Sequence, residues 1–213
     1  MESTYGDHRQ SRKSSLDQLE VVIQKVLGRG GTLIIPAFAV GRTQELLYLI
    51  NKLETDGRIP SCPVYLDRPM ANSATDIYLK YNSDLKTELR NSNIKTRLSW
   101  AEYTEVHSSE ESMNLCASYE PKIIISAADV LTGGRVLHQK INVGAEIFSI
   151  DGLSAHADCE DLTLFAQGFA KKPERVFLNH GELEASKSLQ YILKNELGIT
   201  AEIAAMGVEY VLS

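Results

Sequence analysis

Two histidines and one glutamate stand at points where strand-like runs give way to turns, and their neighbours suit chemistry. His156 lies in Asp151 to Asp158 (DGLSAHAD), between small residues that leave an imidazole room to approach a ligand. Histidine is the usual acid–base group at neutral pH, so His156 is either such a group or a loop histidine satisfied by local hydrogen bonds. Asp158 is placed to cap a following helix. His180 lies in Phe177 to Glu182 (FLNHGE), after an apolar run and before Gly181, where the backbone can turn sharply. A strand end fixes the direction of an imidazole, which suits a metal ligand. Zinc takes three or four ligands, however, and one histidine makes no site. The sequence has 5 histidines, and His8, His107 and His138 show no H-x-H spacing. Glu2, in ESTYG, is either a carboxylate that orients a histidine by accepting its ring N–H, or an exposed acid at a mobile terminus.

Two glycine turns could receive an anion. Thr132-Gly133-Gly134-Arg135 follows an apolar run and precedes a helical pattern, and Gly41-Arg42 does the same after TLIIPAFAV. Each is a workable anion site at a helix start, or plain turn chemistry. The GRGG at Gly28 precedes a strand instead, so it is no phosphate loop of the usual kind.

These residues need elements to hold them. Leu16, Leu19, Val22, Ile23 and Val26 share one helical face, which predicts a helix from Ser14 to Leu27. Continuous apolar runs predict buried strands at Thr32 to Pro36, Pro63 to Asp67, Lys122 to Ser126 and Arg175 to Leu178. Helices are expected from Gly41 to Glu54, Pro69 to Tyr81, Ser108 to Tyr119, Asp158 to Phe169 and Glu182 to Leu197. Ser83 to His107 gives no clear pattern beyond Trp100 and Tyr103 as packing anchors. Asn142 to Ile150 reads as extended. Two short strands are expected near Ala201 to Ala204 and Glu209 to Leu212. Strands that alternate with helices imply an α/β fold with mainly parallel strands.

With 213 residues, the chain can hold one large domain or two small ones. Hydrophobic residues at 43% and charged residues at 23% are ordinary for a globular protein with a conventional core. A net charge of −6 excludes recognition of nucleic acid by overall charge, so any such contact needs a local basic cleft or a metal. The cysteines Cys62, Cys116 and Cys159 form no C-x-x-C pair, read as reduced and buried, and suggest the cytoplasm. No apolar run approaches the roughly 20 residues needed to cross a bilayer, so no membrane partner is expected.

In their order along the chain, these segments resemble the β-CASP branch of the metallo-β-lactamase superfamily, the RNA-processing nucleases. ESTYG resembles motif A, with Glu2 as its acid; LSAHAD (Leu153 to Asp158) resembles motif B, with His156; NHGE (Asn179 to Glu182) resembles motif C, with His180. The blocks IPAFAVGRTQELL (Ile35 to Leu47), VYLDRPMA (Val64 to Ala71) and IIISAADVLTGGRVLH (Ile123 to His138) match as well. The resemblance implies a β-CASP domain over residues 11–140, with residues 1–10 and 141–213 belonging to a metallo-β-lactamase αββα domain. It implies a zinc-dependent exo- or endoribonuclease with a dinuclear zinc centre. His180 would be a zinc ligand, His156 the group at the scissile phosphate and Glu2 its orienter. Arg42, Gly133, Gly134 and Ser154 would line the RNA cleft.

The sequence departs from that family in three places. The H-x-H-x-D-H zinc signature is absent. A strand–helix stretch that relatives carry between the GGRVLH block and motif B is missing. Arg68 stands where a small serine is usual. A chain with so few ligands is expected to hold less than stoichiometric zinc and not to cut RNA alone. A rival expectation is a non-catalytic module that binds RNA or a partner, as a homodimer or completed by another subunit. A Rossmann-like mononucleotide domain is disfavoured, because no G-x-G-x-x-G turn follows any strand.

Overall fold

The computed structural model describes residues 1–9, 13–84, 103–127 and 145–211. Trp100, His138 and the Thr132 to Arg135 turn, with Gly133 and Gly134, lie outside the described residues. The chain forms two compact units, Ser14–Ile150 and Met1–Lys13 with Asp151–Ser213.

In the first unit α1 (Ser15–Gly28) starts at Ser14, whose hydroxyl accepts from the Asp17 N–H at 3.3 Å. Its buried face is Leu19, Val22, Ile23, Val26 and Leu27. Then come β1 (Thr32–Ala37), α2 (Arg42–Thr55), β2 (Val64–Asp67), α3 (Pro69–Lys80), β3 (Tyr103–Glu105), α4 (Ser109–Ala117) and β4 (Lys122–Ala127). The strands form one sheet in the order β1-β4-β2-β3, and every pairing is parallel.

Strand β4 is central, with Ile34 and Ile124 paired on one side and Val64 and Ile123 on the other. Ile123, Ile124 and Ile125 are all fully buried. A strand covered on both faces has no polar side to alternate with, which is why its sequence is a continuous apolar run. Lys122 begins β4 and is just 2% exposed. A buried ammonium needs its N–H groups satisfied, and Lys122 Nζ donates to the Ser118 carbonyl (2.7 Å), Ser118 Oγ (2.7 Å) and the Glu120 carbonyl (3.1 Å).

Strand β3 has no apolar run to announce it. Tyr103, Thr104 and Glu105 are strand because they pair with Val64, Tyr65 and Leu66 at the sheet edge. Arg68, the unexpected residue at the end of β2, donates from Nη1 to the Ala37 carbonyl at 3.1 Å and ties the ends of β2 and β1 together. Residues 145–150 form no strand. Glu146 there pairs instead with Lys25 and Arg29 of α1.

In the second unit α5 (Cys159–Gln167), β5 (Val176–Leu178), α6 (Leu183–Leu197) and β6 (Ala201–Ile203) follow one another, with β5 and β6 parallel. Leu162, Ala166, Leu178, Leu189, Leu193, Ile199 and Ala201 form the core. The strand expected near Glu209 to Leu212 does not appear among the described residues up to Val211. Tyr210 anchors that stretch by its side chain: its ring lies 4.7 Å from that of Phe177 and its hydroxyl accepts from the Ala205 N–H at 2.9 Å. Cys62 and Cys159 are buried, but Cys116 is exposed, because it lies on the outer side of α4, whose buried residues are Ser112 and Leu115. No helix among the described residues is long and apolar enough to cross a membrane.

Ile124 packs against Val106, Leu115 and Tyr65. Ile124→Ala removes buried methyl groups from the middle of the sheet, and the expected cost is about 2–5 kcal/mol, read as a lower urea midpoint for the first unit.

Candidate active site

The second unit builds its site by bringing the first residues of the chain against the end of β5. Glu2 forms a parallel bridge with Asn179, so the chain start adds a third line of backbone beside β5. Glu2 is therefore no frayed exposed acid: it is half-buried and held by backbone pairing. Ser3, fully buried, donates its hydroxyl to the Asn179 carbonyl at 2.9 Å and lies 2.8 Å from Ser186 Oγ on α6.

Two glycines make this approach possible. A Cβ on Gly181 would fall 2.5 Å from both the carbonyl oxygen and Oγ of Ser3. A Cβ on Gly6 would fall 2.5 Å from the Ala185 carbonyl oxygen. The backbone of ESTYG thus packs directly on the NHGE turn and on α6, with no room for a side chain.

His156 reaches the same place from the loop before α5. Asp158 caps that helix, its Oδ1 accepting from the Glu160 and Asp161 N–H groups, each at 2.9 Å. Ser154 Oγ accepts from the His156 N–H at 3.2 Å and closes the turn from within. The ring is then gripped by Glu2: His156 Nδ1 lies 2.6 Å from Glu2 Oε2, while Glu2 Oε1 accepts from the Ala157 N–H at 3.1 Å. A carboxylate can only accept, so the hydrogen is on His156 Nδ1 and Nε2 faces away from Glu2. The His156 and His180 rings stack, with centroids 5.0 Å apart and planes 30° from parallel. Tyr5 adds an edge-on ring 6.2 Å from that of His156.

Burial pushes the Glu2 carboxyl up, but hydrogen bonds from Thr4, from the Ala157 N–H and from His156 outweigh it, so Glu2 stays below the usual carboxylate range. It is a fixed anion at neutral pH, suited to keeping an imidazole oriented.

Glu2, His156 and His180 each offer one ligand atom within 4.8 Å of the others. Nitrogen and carboxylate oxygen are donors that zinc accepts. Both Glu2 oxygens are already engaged, so the residues fit one side of a zinc centre, with His180 as the exposed, available ligand. Arg42 belongs to the other unit, where it pairs with Glu45.

Thr4 gave no signal as a separate residue in the sequence. Its hydroxyl donates to the His180 carbonyl at 2.7 Å and lies 3.2 Å from His180 Nδ1. A threonine beside an acid in a polar loop looks like any turn residue. Only the pairing of that loop with the NHGE turn reveals the contact.

Comparison with known proteins decides the family. Residues 43–143 match the Beta-Casp domain, and residues 140–204 match a domain described as a Zn-dependent metallo-hydrolase RNA specificity domain. The chain belongs to the β-CASP family of the metallo-β-lactamase superfamily. Its parallel sheet and flanking helices are those of a β-CASP domain. The transcription termination factor FttA of Thermococcus kodakarensis is 28% identical over 94% of this chain and 38% of its own length. The ribonuclease TTHA0252 of Thermus thermophilus is 27% identical over 90% of this chain and 53% of its own. An RNase J-like protein of Methanocaldococcus jannaschii is 27% identical over 97% and 57%. The chain thus spans between 38% and 57% of these relatives' lengths. The stretch aligned with FttA runs to 250 residues against 213 in this chain, so the relative has residues there with no counterpart here.

Two outcomes follow from this β-CASP site. Gly181→Ala forces a Cβ into Ser3 and should cost about 1–3 kcal/mol in urea unfolding of the second unit. The folded-state pKa of Glu2 lies below the ordinary 4.5, so its stabilisation is complete above that value and is lost as pH falls through the folded value. The stability difference between the wild type and Glu2→Gln should be constant above about 4.5 and shrink below it, read from melting curves across pH.

Proposed function

We propose that this chain is the part of a zinc-dependent RNA phosphodiester hydrolase that carries the phosphate-side acid and one zinc ligand. The observation that supports it most is the 2.6 Å contact between His156 Nδ1 and Glu2 Oε2, with His180 stacked beside the same ring. Histidine held by a buried-edge carboxylate, next to a histidine with a free nitrogen, is an arrangement for proton transfer beside a cation. The names of the relatives, a ribonuclease and an RNase J-like protein among them, support RNA as the substrate class.

In this reading residues 11–140 are the β-CASP domain, residues 1–10 and 141–213 belong to the metallo-β-lactamase domain, and the protein acts in the cytoplasm. His180 holds zinc. The chemistry zinc supplies when bound is activation of the attacking water and neutralisation of charge on the phosphate. Glu2 keeps the hydrogen on His156 Nδ1 and stabilises the imidazolium, so Nε2–H faces outward. His156 then gives that proton to the leaving oxygen as the P–O bond breaks, and Glu2 holds the ring in place throughout. The same reading gives RNA contacts to Arg42, Gly133, Gly134 and Ser154.

Among the described residues the one cluster of metal ligands is Glu2, His156 and His180, and the sequence has no H-x-H-x-D-H. That shortage favours a second reading, a non-catalytic RNA- or partner-binding module completed by another chain. Zinc content separates the two. The purified chain should hold less than one zinc by elemental analysis, lose that in His180→Ala, and leave labelled single-stranded RNA intact. Mixed with a chain that supplies the H-x-H-x-D-H segment, it should cleave RNA in a zinc-dependent way, with a loss of about 10²–10⁴-fold in His156→Ala. RNA binding with no zinc uptake in the mixture would leave only the module reading. Robust cleavage by this chain alone, abolished by His180→Ala, would overturn the incomplete site.

A further inference from the structure

Thr4 sits where one hydroxyl meets both histidines. Its Oγ1 is 2.7 Å from the His180 carbonyl oxygen, 3.2 Å from His180 Nδ1 and 3.4 Å from His156 Nδ1. A hydroxyl has a single proton to give and two lone pairs with which to accept. The His180 carbonyl and the Glu2 carboxylate can only accept, so the proton is shared between those oxygens and none is left for a ring nitrogen. Toward the rings Thr4 is then an acceptor, and the ring nitrogen beside it has to carry a hydrogen. The Nδ1–H of His156 is already taken by Glu2 at 2.6 Å. The partner left for the Thr4 lone pair is His180 Nδ1–H. A neutral imidazole with hydrogen on Nδ1 has its lone pair on Nε2.

The same hydroxyl also acts on the backbone. His180 has φ of 55°, the only positive φ outside glycine among the described residues. A side chain with a Cβ is strained there and stays only if neighbours hold it. The Thr4 bond to the His180 carbonyl is such a hold. Thr4 itself is fixed, because Ser3 is buried and bonded to Asn179 and Ser186, and the Gly6 N–H closes the turn on the Ser3 carbonyl at 3.2 Å.

We propose that Thr4 is a positioning residue for the metal centre: it holds the strained backbone of His180 and fixes hydrogen on its Nδ1, so that Nε2 presents a lone pair to the metal. The metal half of this statement rests on the reading of His180 as a zinc ligand. The tautomer half does not.

The test is a long-range ¹H–¹⁵N spectrum of the metal-free chain labelled at histidine, recorded well above the histidine pKa of roughly 6.5. The expected wild-type pattern for His180 is a protonated Nδ1 and an unprotonated Nε2. Thr4→Val, equal in shape but without the hydroxyl, should lose that preference, and Thr4→Ser should keep it. Zinc titration of Thr4→Val should show about 10–100-fold weaker affinity, with Thr4→Ser near the wild type. An unchanged His156 spectrum shows that Thr4→Val keeps the fold. If that variant does not fold, the wild-type spectrum alone decides, since hydrogen on His180 Nε2 overturns the proposal. An unaltered tautomer in folded Thr4→Val overturns it too. If zinc leaves the His180 signals unmoved while the Nδ1–H tautomer is present, the zinc-ligand reading fails and only the metal half of the proposal falls with it.

Discussion

The site depends on one packing constraint: Ser3 lies directly on Gly181, with no space for a Cβ between them. That contact joins residues at opposite ends of the chain. It turns Ser3 toward Ser186 and leaves Glu2 and Thr4, its neighbours two residues apart on the chain, to face the two histidines. Glu2 then reaches His156, and Thr4 reaches His180. If the backbones stood apart by the width of a methyl group, neither hydrogen bond would keep its length. The two glycines of the motifs are therefore structural conditions for the chemistry, although they carry none themselves.

The electrostatics follow from the same closeness. Glu2 is half-buried, and burial alone would raise its pKa. Two N–H donors and a hydroxyl around it reverse that and keep it charged. Glu2 holds His156 by its Nδ1, while His180 stands exposed beside it. The two histidines lie a ring's width apart, but their surroundings differ: one is gripped by a carboxylate and the other is exposed.

The first unit works on another principle. Its central strand β4 is buried on both faces and is therefore a continuous apolar run, and the strand order is set by parallel pairing around it. Where Lys122 enters, its ammonium is matched by three oxygens. Arg68 serves the sheet by bonding the Ala37 carbonyl, so its presence in place of a small residue has a structural use.

Much of this was legible in the sequence because it is local. Apolar runs and helical faces announced β1, β2, β4 and the helices, and Asp158 announced its own cap. Glu2, His156 and His180 could be named from type and motif. Whether Glu2 was an orienter or a frayed acid stayed open, since that depends on which backbone lies beside it. Strand β3 escaped because its three residues owe their state to pairing with β2. The strand expected near Glu209 failed because a side-chain anchor, Tyr210, took the place of a ladder. Thr4 was invisible for the same reason. A sequence shows which groups can donate and accept. Only the tertiary structure decides which of them meet, because hydrogen bonds over some 150 to 180 positions are set by packing and not by spacing.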